Sequence, residues 1–79
     1  MYTVYILQNQ TTQRHYIGHT KDLKHRLNRH NTGRNVSTKS SGKWAVVYRE
    51  TFSDKKNAWT RETQIKKYKG GEAFKKLLQ

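Results

Sequence analysis

The run Tyr16-Ile17-Gly18-His19-Thr20-Lys21-Asp22-Leu23-Lys24-His25-Arg26-Leu27-Asn28-Arg29-His30-Asn31 constrains the fold most, because it passes from strand to helix with almost nothing between. Arg14 to His19 has strand composition and ends in a glycine turn, and Thr20 then reads as an N-cap with Asp22 in the first helical turn. Leu23 and Leu27, spaced i, i+4, form an apolar stripe, and Arg26 and His30 share that spacing along a neighbouring edge. Asn31-Thr32-Gly33 stops the helix. A guanidinium pairs with two phosphate oxygens and an imidazole moves protons near neutral pH, so the pair is a candidate for acting on a phosphate. A solvated basic helix edge is the plainer reading of the same residues.

Around this run the chain alternates. Tyr2, Val4 and Ile6 point one way and Thr3, Tyr5 and Leu7 the other, as in a strand. Gln8 to Gln13 is short and polar, so a hairpin to the second strand is expected. Centred between Gln10 and Thr11, that hairpin sets Tyr5 opposite Tyr16 with both hydroxyls on one face, where the two rings either serve chemistry or merely pack. Gly33 to Lys43 reads as a loop able to drape over a phosphate backbone, with Lys39 and Lys43 as contacts. Trp44 to Phe52 supplies a third strand, with Trp44, Val46 and Tyr48 expected on one face and Ala45, Val47 and Arg49 on the other. Both faces look buried, which implies an α+β fold with helices covering much of the sheet.

Ser53 or Asp54 caps a long helix to about Lys69, and Gly70-Gly71 separates it from a last helix at Glu72 to Leu78. On the long helix Ala58, Glu62, Ile65 and Lys69 share the inward stripe. An ionised carboxylate at such a position needs a cation: either a metal or a structural ion pair, for example to Arg26. The other acids fit helix starts and strand ends. His15, His19, His25 and His30 do not make a zinc set and are expected mostly as solvent-facing groups or nucleic-acid contacts. Trp59 either stacks on a base or packs against the last helix.

Composition narrows the partners. Seventeen Lys and Arg against five Asp and Glu give a net charge of +12, which points to an anionic polymer bound with strong salt dependence. The chain has 79 residues, enough for one domain, and no cysteine, which excludes disulfides and thiolate zinc. No apolar run approaches membrane-spanning length and Met1 to Leu7 lacks the features of a signal peptide, so a cytoplasmic protein with no membrane partner is expected.

Tyr16-Ile17-Gly18, Tyr5 upstream, the Thr20 to Asn31 helix with Arg26 and His30, and the Ala58 to Lys66 segment with Glu62 together resemble the GIY-YIG endonuclease superfamily, and the resemblance spans nearly the whole chain. The chain is most similar to its small standalone, excinuclease C-like members. Thr3-Val4-Tyr5 keeps only the tyrosine of the first half of the family name, and His19 stands where some members carry lysine. The asparagine that some members use downstream has no clear counterpart in Lys69 to Leu78.

The resemblance implies a three-stranded antiparallel sheet flanked by helices, in the order β-β-α-β-α-α. It also implies divalent-metal hydrolysis of nucleic acid phosphodiesters, using magnesium or manganese on Glu62, and the expected substrate is DNA cut with low sequence specificity, because no separate recognition domain is expected. Arg26 would neutralise the developing phosphorane, Tyr5 would act as base with His30 taking its proton, and Tyr16 would position the phosphate. For Tyr5 to serve, nearby cations must depress its pKa or its proton must pass elsewhere. Arg61 and Lys66 join Lys39 and Lys43 as expected nucleic-acid contacts. One site cuts one strand, so a homodimer is a possible arrangement. The rival readings are a non-catalytic nucleic-acid-binding module on the same fold and a protein-interaction or ribosome-associated role.

Overall fold

In the computed structural model, which describes residues 1–31, 43–68 and 71–78, the chain runs through β1 (Tyr2–Asn9), β2 (His15–Thr20), α1 (Leu23–Asn31), β3 (Trp44–Phe52), α2 (Lys55–Lys67) and α3 (Glu72–Leu77). The strands form one antiparallel sheet in the order β2-β1-β3, so the expected architecture is the observed one. Central β1 is covered on both faces, which is why its apolar residues run almost without a break. Val4 and Ile6 pack with Ala58 and Ile65 of α2 and Phe74 of α3. On the opposite face Tyr5, Leu7 and Trp44 pack with Tyr16, Leu23, Leu27 and Val46. The sheet thus separates two small cores, with α1 on one side and α2 and α3 on the other.

The hairpin register differs from expectation by two residues: Tyr5 faces Gly18 and Leu7 faces Tyr16. Asn9 is the reason. It stays in the strand, fully buried, and its side-chain oxygen accepts the N–H groups of Thr11 and Thr12, both at 2.9 Å. The turn then closes through Gln13 at φ 65°. An even shift preserves the side-chain alternation, so Tyr5 and Tyr16 still share a face, as diagonal neighbours.

An odd shift does not. The β1–β3 register slips between Ile6 and Leu7, which face Tyr48 and Val46, leaving Val47 as an extra residue. Tyr48 therefore turns to the α2 core, with Phe52, and leaves the face of Trp44 and Val46, where it was expected. Arg49, opposite Tyr5, comes onto the α1 face.

Asp22, not Thr20, caps α1: it accepts the His25 N–H at 3.1 Å, and Thr20 Oγ1 accepts the Asp22 N–H at 3.2 Å. Asp54 caps α2, its carboxylate accepting the Asn57 N–H at 2.8 Å. The expected helix end at Lys69 lies outside the described residues. At the last residue of α1, Asn31 accepts the Trp44 N–H at 2.7 Å and donates to the Trp44 carbonyl at 3.3 Å. This clasp ties the end of α1 to the start of β3. Among the described residues no helix is long and apolar enough to cross a membrane.

Candidate active site

Gly18 is where the site begins. A Cβ there would lie 2.8 Å from the Tyr5 hydroxyl and 3.2 Å from the Tyr16 ring, so the two tyrosines lie close against this position. Their ring centroids are 6.3 Å apart, with the planes inclined at 29°. Leu23, Leu27 and His30 follow i, i+4, i+7 on α1, and this puts His30 inward, at 2% exposure, not on a solvated edge. Its ring lies 4.6 Å from that of Tyr16, and its Nε2 is 3.4 Å from the Tyr5 hydroxyl. Burial, with Arg26 and Arg29 adding to it, lowers the His30 pKa and favours the neutral imidazole.

Tyr5 moves in the opposite direction. Burial and then Tyr16 push its phenol pKa well up, and the opposing charge of Arg26 does not compensate. The cations therefore do not depress Tyr5, and of the two expected routes only the passing of its proton to a neighbour remains. Neutral His30 is positioned to receive it.

Glu62 approaches from the other face. Alternation along β2 puts His19 on the side of Ile17, toward α2, where its Nδ1–H donates to Glu62 Oε1. Lys66, one turn along α2, lies 2.6 Å from Glu62 Oε2. The Glu62 side chain is 13% exposed, and burial alone would raise its pKa, but the hydrogen bonds from Lys66 and His19 outweigh burial and hold it below the usual carboxylate range. The partners of this inward carboxylate are thus His19 and Lys66, and not Arg26, the example offered for an ion pair beside the metal alternative. An ionised carboxylate has about four lone-pair sites, so it retains capacity for a further cation. Among the described residues no three His, Asp or Glu side chains come together as a ready-made metal cage.

Arg26 opens into a cleft of about 400 Å³ at the end of β2, lined also by Tyr2, His19, Thr20, Lys21 and Lys55. Tyr5 senses the charges of both Arg26 and Glu62, so the tyrosine, guanidinium and carboxylate belong to one electrostatic neighbourhood. A cleft rich in cations beside a single carboxylate and a buried tyrosine–histidine pair suits a phosphate group.

The expected contact residues divide. Lys66 is engaged with Glu62 yet half-exposed, and Lys43 is exposed beside the hairpin, its carbonyl accepting the Gln10 N–H at 2.9 Å. Arg61 is used internally: Nε lies 3.4 Å from Glu50, and Nη1 donates to Gln64 at 2.9 Å. Glu50 also accepts the Tyr48 hydroxyl, so this cluster joins α2 to β3. Lys39 lies outside the described residues. Sequence reasoning missed His19, Lys21 and Lys55. Alternation from Ile17, which packs against the α2 core, was a usable signal for His19, but no local pattern distinguishes the two lysines from the chain's many others.

Comparison with known proteins agrees with this arrangement. Residues 1–75 match the GIY-YIG catalytic domain. A UPF0213 protein of Oceanobacillus iheyensis is 37% identical over 73 residues, covering 91% of this chain and 84% of the relative. A UPF0213 protein of Staphylococcus epidermidis is 35% identical over 65 residues, covering 81% and 79%. No solved structure matches the chain significantly.

Proposed function

The chain belongs to the GIY-YIG family, and on that premise we propose that it is an endonuclease hydrolysing DNA phosphodiester bonds with magnesium or manganese and little sequence preference. The observation that carries this reading is the meeting at Gly18-His19: the buried Tyr5–His30 pair lies on one side of β2, the Glu62 carboxylate on the other, and the Arg26 cleft at its end.

Glu62 would hold the metal. Its donor chemistry fits, since a hard cation that keeps most of its waters needs one or two carboxylates and takes further oxygens from phosphate. When bound, such an ion supplies positive charge to the scissile phosphate and the leaving oxygen. His19 fixes the orientation of the carboxylate by its hydrogen bond.

Arg26 faces the phosphate and neutralises charge that develops on its oxygens. The 3.4 Å contact between the Tyr5 hydroxyl and His30 Nε2 supports a relay: Tyr5 accepts the proton of the attacking water as its own proton passes to His30, a transfer that both pKa shifts oppose and that therefore proceeds only in concert with the attack of the water. Tyr16, held against His30, positions the phosphate. Low sequence preference follows from a cleft whose cations contact phosphates and carry no base readout. Cutting both strands of a duplex would take two copies or two encounters.

The test is a cleavage panel of supercoiled plasmid, branched and single-stranded oligonucleotides, with either metal. Arg26→Ala and His30→Gln should each slow cleavage by roughly 100-fold or more. Binding by the wild type with no cleavage of any substrate would replace this reading with the non-catalytic module.

A further inference from the structure

Trp59 lies on the outer face of α2 at 57% exposure and joins neither core cluster among the described residues. It therefore does not serve the packing role against the last helix that the sequence offered it. It borders an open groove of about 520 Å³ with Thr60, Thr63, Gln64 and Lys67. The hydroxyls of Thr60 and Thr63 each donate to a helix carbonyl at 2.9 Å, which leaves their methyl groups available to the groove. The result is an apolar floor and an open indole face, with Lys67 at the edge of the groove.

Position matters as much as exposure. Trp59 stands three residues before Glu62 and seven before Lys66, so the three form a ridge along one side of α2, with neighbouring Cβ atoms about 5–6 Å apart. That spacing is within the reach of one nucleotide from its phosphate to its base. A large exposed indole on so polar and cationic a chain calls for an occupant that is aromatic on its face and anionic at its edge. A duplex offers groove edges, because its base faces are stacked on one another, whereas an unpaired base offers the face.

We infer that Trp59 is a stacking platform for an unpaired base next to the scissile phosphate, so that the substrate class is single-stranded or locally unpaired DNA. This rests on the nuclease reading for the place of the phosphate. The base-stacking claim is separately measurable.

The chain has two tryptophans, and Trp44 is 5% exposed, so quenching of solvent-exposed indole emission reports Trp59. The wild-type chain in EDTA is titrated with an oligodeoxythymidine single strand and with a blunt duplex of equal length. The single strand should quench the emission and the duplex should not. Trp59→Phe should abolish the quench while keeping most of the binding. Trp59→Ala should weaken single-strand binding by about 5- to 150-fold, with duplex binding and the salt slope unchanged.

Equal quenching by duplex overturns the inference. So does a Trp59→Ala chain that melts and binds single strands like the wild type; if that variant does not fold, quenching and Trp59→Phe decide. Cleavage that needs Glu62 but ignores Trp59 removes the platform and leaves the nuclease. Stacking in EDTA with no cleavage under any metal removes the nuclease and leaves the platform.

Discussion

Gly18→Ala is the substitution whose cost the geometry fixes most closely. The new methyl would lie 2.8 Å from the Tyr5 hydroxyl oxygen, 3.0 Å from Tyr5 Cζ and 3.2 Å from Tyr16 Cε1. Optimal non-bonded contacts are about 3.5–4.0 Å, so all three overlap. Tyr5 is 1% exposed and lies against Tyr16 and His30, which leaves its ring no outward path. Overpacking of this kind costs about 1–3 kcal/mol. Alanine in a strand interior recovers about 0.5–1 kcal/mol of backbone entropy relative to glycine. The net loss is at most about 2.5 kcal/mol, which for a domain of this size lowers Tm by up to about 20 °C. Cleavage should suffer more than stability, because the displaced atom is the hydroxyl that faces His30. Adding Tyr5→Phe removes the closest atom, so the double variant should lose less stability than the sum of the single changes, read by thermal melts in a double-mutant cycle. An alanine chain as stable as the wild type, with cleavage unchanged, would refute the role given to Gly18.

Three further outcomes follow from particular contacts. Asn31→Ala removes both bonds to the Trp44 backbone and should cost about 1–2 kcal/mol, seen as a fall of about 4–16 °C in a calorimetric melt. Gln13→Gly relieves a positive φ, a strain of about 1–2 kcal/mol less the ~0.5–1 kcal/mol of glycine entropy, and should raise Tm by a few degrees. His30 has its pKa lowered in the fold, so as pH falls below the unfolded value of about 6.5 the unfolded chain gains the extra proton. Its contribution to stability is whole above that pH and is lost as the pH falls through the depressed folded value. Urea midpoints should decline on acidification, and His30→Gln should flatten part of that decline, His15 sharing the same direction. A slope unchanged by His30→Gln would contradict the burial assigned to that ring.

What was legible in the sequence was mostly what alternation and periodicity encode. The order of the elements, the sheet covered on both faces and the shared face of Tyr5 and Tyr16 all survive a two-residue error in the hairpin, because even shifts leave every side chain on its own face. The bulge at Val47 is an odd shift, and nothing in Trp44 to Phe52 marks it, so Tyr48 and Arg49 were assigned to the wrong faces. His30 was found as a candidate by its spacing from Arg26, but its burial follows from its spacing to Leu23 and Leu27, a pattern that hydropathy overlooks because imidazole counts as polar. Glu62 was found because a carboxylate on an apolar stripe is costly, whereas its partner His19 depends on the pairing of β2 beside α2. Cations were hardest to assign. Arg61 and Lys55 sit on the same helix, and only tertiary packing binds one to Glu50 and leaves the other at the cleft.

The central claim is that the Glu62 carboxylate is the metal-dependent part of a nuclease site, and plasmid nicking by metal-stripped protein tests it most directly. Wild type should be silent in EDTA and recover on addition of magnesium or manganese, while Glu62→Gln, which keeps the side-chain shape, should remain roughly 100-fold or more slower at every metal concentration. Nicking that persists in EDTA, or a Glu62→Gln chain that matches the wild type at the same metal concentration, would contradict the account.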